Sequence, residues 1–126
     1  MSSIADSFLA QVRFLNHAEG GRSRAAKNPA VSQLTVAPFQ TSCHVVAVDT
    51  EGAPLSDHTA IPLGETILAR VVVWSAAYCT PELERLGPEI EFFEGSKLVA
   101  RGKMMNPGQL EPTPQRIKRF IRTAIS

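Results

Sequence analysis

Hydrophobic and polar residues alternate along most of this chain. In FLAQVRFLN (8–16), Phe8, Ala10, Val12 and Phe14 fall on one face and Leu9, Gln11, Arg13 and Leu15 on the other, the period-two pattern of a strand laid over a core. CHVVAVD (43–49) is rich in β-branched residues, and TILARVVVW (66–74) is the strongest strand candidate in the chain. EIEFFE (89–94) and KLVARGKMM (97–105) flank Gly95 and Ser96, and a two-residue connection of this kind predicts a β-hairpin. VSQLTVA (31–37) predicts one more short strand, closed by Pro38. Turn residues separate the runs: DTEG at 49–52, IPLGE at 61–65 and LGPE at 86–89. Short strands joined by Gly and Pro turns predict a small antiparallel barrel or sandwich, because closing or stacking a sheet disposes of its exposed edges.

The pattern changes at the end of the chain. Thr113 can cap a helix with Pro114 at its first position, and QRIKRFIRTAI (115–125) follows. At helical spacing Ile117, Phe120, Ile121, Ala124 and Ile125 share one side, and Arg116, Lys118, Arg119 and Arg122 share the other. This amphipathic helix can pack on the strands, or dock on a second copy, another protein or an anionic surface.

Composition narrows the picture only a little. A chain of 126 residues with 44% hydrophobic residues closes one core without metals or cross-links. Arg70 interrupts the longest apolar stretch, so no membrane span is expected. The first ten residues lack the basic start and apolar centre of a signal peptide, and Cys43 and Cys79 read as free thiols. Both features suit a cytoplasmic protein. A net charge of +1 excludes nucleic-acid binding by bulk field alone. The charge is nevertheless clustered: Arg13, Arg22, Arg24 and Lys27 come early, Glu82, Glu84, Glu89, Glu91 and Glu94 later, and the helix cations last.

Catalytic patterns are looked for with little return. No phosphate-binding Gly-x-x-x-x-Gly-Lys-Ser/Thr loop is present, so a nucleotide is not expected, and DTEG reads as a turn. Cys43 and His44 are neighbours on a strand and face opposite ways, so they make no dyad, which leaves a distant pairing such as Cys79 with His58. His17, His44 and His58 lack metal-ligand spacing, and nothing supports Glu89 with Glu91 as an acid/base pair. No catalytic residue, cofactor or metal is expected. Trp74, Tyr78 and most of the Phe residues fall at apparent core positions, so any contact with RNA is expected through its backbone rather than by base stacking.

Together, FLAQVRFLNHAEGGR, FQTSCHVVAVDTEG, IPLGETILARVVV and FFEGSKLVARGKM resemble the third, C-terminal β-barrel domain of elongation factor Tu. The most specific block is the first, a strand followed by Glu19, Gly20, Gly21 and Arg22. The resemblance covers about residues 8–106 and implies a six-stranded antiparallel closed barrel over 1–106, with 107–126 as a Pro-containing linker and C-terminal helix that has no counterpart in the family. In the full factor this barrel helps hold the T-stem of aminoacyl-tRNA and meets the GTPase domain and the exchange factor. Gln40, Thr41, Ser42 and Cys43 replace the family's Arg-Pro-Gln-Phe run, the loop from Arg22 to Phe39 is longer, and Ser96 and Lys97 replace a Gly and an Arg.

The expected function is therefore a non-enzymatic binding module. Its partner is another protein or a second copy, with the backbone of tRNA or another structured RNA as the alternative, and with no membrane and no nucleotide. The residues singled out for binding are Arg22, Arg24 and Lys27 in the first loop and Arg116, Lys118, Arg119 and Arg122 on the helix. Gly95, Ser96 and Lys97 join them because they stand where the family touches the tRNA backbone. Gly20 and Gly21 are expected to supply backbone angles closed to other residues, and Arg22 to brace its loop through backbone carbonyls or Glu19.

Overall fold

A computed structural model describes residues 4–57 and 59–125. Six strands close into an antiparallel barrel, and in sequence order they are β1 (Ser7–Phe14), β3 (Ala30–Val36), β4 (Phe39–Ala47), β6 (Thr66–Val73), β7 (Glu89–Glu94) and β8 (Lys97–Met104). Around the barrel the order is β1-β6-β4-β3-β7-β8, with β8 returning to β1. Two-residue strands β2 (Ala26–Lys27) and β5 (Ala60–Ile61) pair outside the barrel. The helices are α1 (Thr80–Glu84) and α2 (Gln115–Ile125).

Alternation places the core as expected. Phe8, Ala10, Val12 and Phe14 of β1 point inward with Leu34, Val36, Cys43, Val45, Ala69, Val71, Ile90 and Phe92, all of them buried. Register makes this face continuous: Ala10 lies opposite Ala69 on β6 and Met104 on β8, and Val45 lies opposite Ala30 on β3 and Val71 on β6. A bulge between Phe92 and Phe93 brings the consecutive residues Val99 and Ala100 of β8 both into the interior.

The outward faces of β1, β6 and β4 are apolar where α2 crosses them. Ile117 is fully buried against Val46 and Val48, with Leu9, Leu68, Val72, Phe120 and Ile121 packed around it. The helix thus packs on its own barrel, which sequence left open. Its approach is tied down from several sides. The Thr113 amide and hydroxyl both donate to Asp6 Oδ1, at 2.9 and 2.7 Å, and buried Arg70 donates from Nη1 to Glu111 Oε1 (3.1 Å) and Ser7 Oγ (3.3 Å). Arg70 therefore interrupts the apolar run for a structural reason: it anchors the returning C-terminal segment.

Two short pieces lay beyond the sequence pattern. β2 and β5 are too brief for periodicity to mark, and Asn28, a buried amide directly after β2, ties that end of the pair to the rest of the chain. Asn28 Nδ2 donates to the carbonyls of Leu55 and Ala47 at 3.0 and 3.3 Å, and its Oδ1 accepts from the Ala47 amide at 2.8 Å. α1 starts behind the buried Cys79, with Pro81 in its first turn, and inserts Leu83 into the core below the barrel wall.

Candidate functional site

Antiparallel register sends three connections out of one end of the barrel: the loop after β1, the β4–β6 connection and the β7–β8 hairpin. That geometry unites two of the three sets of binding residues. Arg22 Nη1 forms an ion pair with Glu94 at the edge of the hairpin, and its Nε donates to the Arg24 carbonyl at 3.1 Å. The loop carrying Arg22, Arg24 and Lys27 is thereby fastened beside Gly95, Ser96 and Lys97. Arg24, Lys27, Ser96 and Lys97 are exposed, and Gly95 turns the chain at φ 63°. Lys27 itself belongs to β2, opposite Ala60.

Arg22 does use a backbone carbonyl as a brace, but its carboxylate is Glu94 rather than Glu19. Glu19 is already occupied. It receives two bonds of 2.9 Å from Arg13 and closes a capping box with Asn16, whose amide donates to Glu19 Oε1 while Asn16 Oδ1 accepts from the Glu19 amide. The Arg13 guanidinium, followed by the Asn16 amide, holds the Glu19 carboxyl below its ordinary range.

The helix set stands apart. Arg116 donates to the Glu51 carbonyl at 2.7 Å, and Lys118, Arg119 and Arg122 are exposed along α2.

A feature that sequence placed in the core is on the surface. Trp74 is 54% exposed and Tyr78 is 90% exposed. Trp74 continues the outward parity of Leu68, Arg70 and Val72, so the charge at Arg70 was the available signal. The Trp74 indole N–H donates to His44 Nδ1 at 2.8 Å, and the rings lie 5.1 Å apart at 42°. His44 sits between Val31 on β3 and Val72 on β6. Val31 is itself 51% exposed, so Val31, His44 and Trp74 form an apolar shelf across three strands. Burial lowers the His44 pKa, and the bond from Trp74 needs a bare Nδ1, so both effects favour the neutral ring with its proton on Nε2.

The chemistry-bearing side chains are kept apart or blunted. Cys43 points into the core, where burial pushes its thiol up to about 12. His44 points out from the same strand. Cys79 is also buried, its thiol pushed up by burial and then by Glu82. His58, its suggested partner, lies outside the described residues. Glu89 and Glu91 share the outer face of β7 with Arg101 and Lys103 of β8, along a furrow of about 780 Å³ that also meets Gln11 and Arg13. There Glu91 faces Arg101 at 3.9 Å, as a solvated ion pair does. Among the described residues no group of three or more His, Cys, Asp or Glu could hold a metal, and no helix is long and apolar enough to cross a membrane.

Compared with models of known protein families and with curated proteins, the chain matches none.

Proposed function

We propose that this protein is a non-enzymatic binding module, a barrel of the kind that forms the third domain of elongation factor Tu, working by docking against a protein surface. The observation that carries this reading is the shelf of Trp74, His44 and Val31. Exposed Trp is the residue type most enriched among interface anchors. This one has its only polar atom satisfied by His44, so it offers an apolar face with no unmet hydrogen bond to bury. Its backbone N–H bonds to the Ser42 carbonyl at 3.0 Å and its indole to His44, two ties that reduce the entropy lost on binding. The separated, blunted thiols argue against nucleophilic chemistry, and two buried free cysteines suit a reducing, cytoplasmic setting.

The test is capture of binding proteins with nuclease-treated lysate, using wild type and Trp74→Ala as paired baits. A protein retained by wild type and lost from Trp74→Ala is expected. Identical retained sets on both baits would remove the reading.

A second reading rests on a different observation, the bridge from Arg22 to Glu94 that gathers Arg24, Lys27, Ser96 and Lys97 at one end. Such a cluster suits the phosphate backbone of a structured RNA such as tRNA. Its contacts would be salt-sensitive and poor in sequence information. Filter binding of tRNA at low salt should then weaken by at least about tenfold in an Arg24→Glu, Lys97→Glu double variant. Retention that is equal in wild type and the double variant would dismiss it.

A further inference from the structure

We propose that the exposed side of α2 binds the backbone of double-helical RNA. This surface includes neither the Trp74 shelf nor the cations at the barrel end, so the proposal goes beyond both readings above. The exposed positions of α2 are Gln115, Arg116, Lys118, Arg119, Arg122 and Thr123, four of them cationic and none acidic. Among the described residues none of the four cations forms an ion pair, and Arg116 donates to the carbonyl of Glu51 rather than to a carboxylate. The helix carries these charges against its own stability. Arg116 and Lys118 stand in the first turn, where the helix dipole disfavours cations, and no acidic residue offsets them there. Arg116 with Arg119, Lys118 with Arg122, and Arg119 with Arg122 are like charges three or four residues apart, a spacing that sets them side by side. A polyanion laid along this side relieves both penalties.

What accompanies the cations decides which polyanion. A protein interface needs an apolar centre, and a helix lying on a membrane sinks its apolar side into the lipid. In α2 that side is already committed to the barrel, with Ile117 fully buried on Val46 and Val48 and with Phe120 and Ile121 packed around it. No aromatic residue joins the exposed positions, so unpaired bases find nothing to stack on. A nucleic-acid backbone asks only for charge and polar groups. Because one side of α2 rests on the wall, the helix cannot sink into the major groove of DNA as a recognition helix does. The wide, shallow minor groove of an RNA helix, bordered by phosphates and lined with 2′-hydroxyls, accepts a surface that lies flush. Arg116 to Arg122 spans about 9 Å along the helix axis, enough to meet several phosphates.

Fluorescence anisotropy with a labelled RNA duplex of mixed sequence, about 20 base pairs long, is the test. At about 50 mM salt the wild type should bind this duplex at least about tenfold more tightly than a DNA duplex or a single RNA strand of the same sequence. A triple variant, Lys118→Gln, Arg119→Gln and Arg122→Gln, changes exposed positions to a good helix former, so its circular dichroism should match wild type. Its affinity for the RNA duplex should fall at least about tenfold, and the slope of log affinity against log salt should become shallower by about 2–3. Should the triple variant lose its helix, Arg122→Gln alone decides, through a slope shallower by about 1. The Arg24→Glu, Lys97→Glu protein should keep the α2-dependent part of the binding.

An affinity and salt slope unchanged in the α2 variants would overturn the proposal. So would binding of the DNA duplex, of phosphatidylserine vesicles or of polyglutamate that equals binding of the RNA duplex, since the cations would then serve another anion. Loss of RNA binding in Arg24→Glu, Lys97→Glu with none in the α2 variants would place the contact at the barrel end, sinking this site while leaving the second reading above standing.

Discussion

Two adjacent glycines show how differently one residue type can be required. Gly20 closes the turn after Glu19 at φ 85°, with nothing within 4 Å of where a Cβ would stand. At Gly21 the backbone angle is unexceptional, but a Cβ would lie 2.2 Å from the Leu15 carbonyl oxygen. The sequence expectation of special angles therefore holds for Gly20 only; Gly21 is needed because two stretches of main chain touch. Gly20→Ala should cost about 1 kcal/mol, the strain of a left-handed Ala. Gly21→Ala should cost about 3 kcal/mol or more, since a clash with backbone has no flexible side chain to relieve it. Urea unfolding of the two variants should rank them in that order, and equal costs would contradict the geometry. His44 supplies a pH dependence at the same scale. Its folded pKa lies below the ordinary 6.5, so the unfolded chain binds the proton more readily. Its contribution to stability is complete above about 6.5 and is lost as pH falls from there through the lowered folded value. Trp74 is the only Trp in the chain, so its fluorescence should report this step with a midpoint below 6.5, and the step should vanish in His44→Gln. A midpoint at or above 6.5 would mean that the ring is not buried as described.

At the scale of elements, strands were legible wherever alternation ran for six residues or more, and they stand within a few residues of their expected bounds. β4 begins earlier than CHVVAVD suggested, because Phe39 to Ser42 extend the hairpin with β3 on a segment with little hydrophobic signal. β2 and β5 were beyond reach, since two residues carry no period and the bonds that Asn28, next to β2, makes to Ala47 and Leu55 join segments far apart in sequence. The helix was readable in type and in polarity, but its docking place was not. A strand that is apolar on both faces, as Val45, Val46, Ala47 and Val48 are, shows that something covers it without saying what. Ile117 is the side chain that settles this, fully buried over Val46 and Val48. Ile117→Ala should cost about 2–4 kcal/mol and open the patch beneath, visible as new binding of a hydrophobic dye at unchanged barrel circular dichroism. A cost below about 1 kcal/mol would mean that α2 rides loosely on the wall.

For the whole molecule, the seam between β3 and β7 is the least readable feature, because it joins segments far apart in sequence whose faces look like any other strand. It is also the weakest join. β1 and β6 stay in register from Ser7 with Val72 to Arg13 with Thr66, and β3 and β4 from Ala30 with Val45 to Val36 with Phe39. Between β3 and β7, among the described residues, only Gln33 with Phe93 and Leu34 with Phe92 are paired before the strands diverge. Just past that point the Thr35 hydroxyl is buried without a hydrogen-bond partner, the kind of unmet group that accompanies incomplete pairing. A barrel opens where the fewest backbone bonds must break, so native-state hydrogen exchange should show the amides bridging β3 and β7 exchanging through a partial opening, at lower free energy than those of the β1–β6 ladder. The Trp74 shelf spans β3, β4 and the end of β6, on the firmly paired side of that seam, so the surface proposed for docking should remain rigid while the opposite wall breathes. Should exchange at the β3–β7 seam instead match the global unfolding free energy, closure would be fully cooperative and the shelf no stiffer than the rest of the wall.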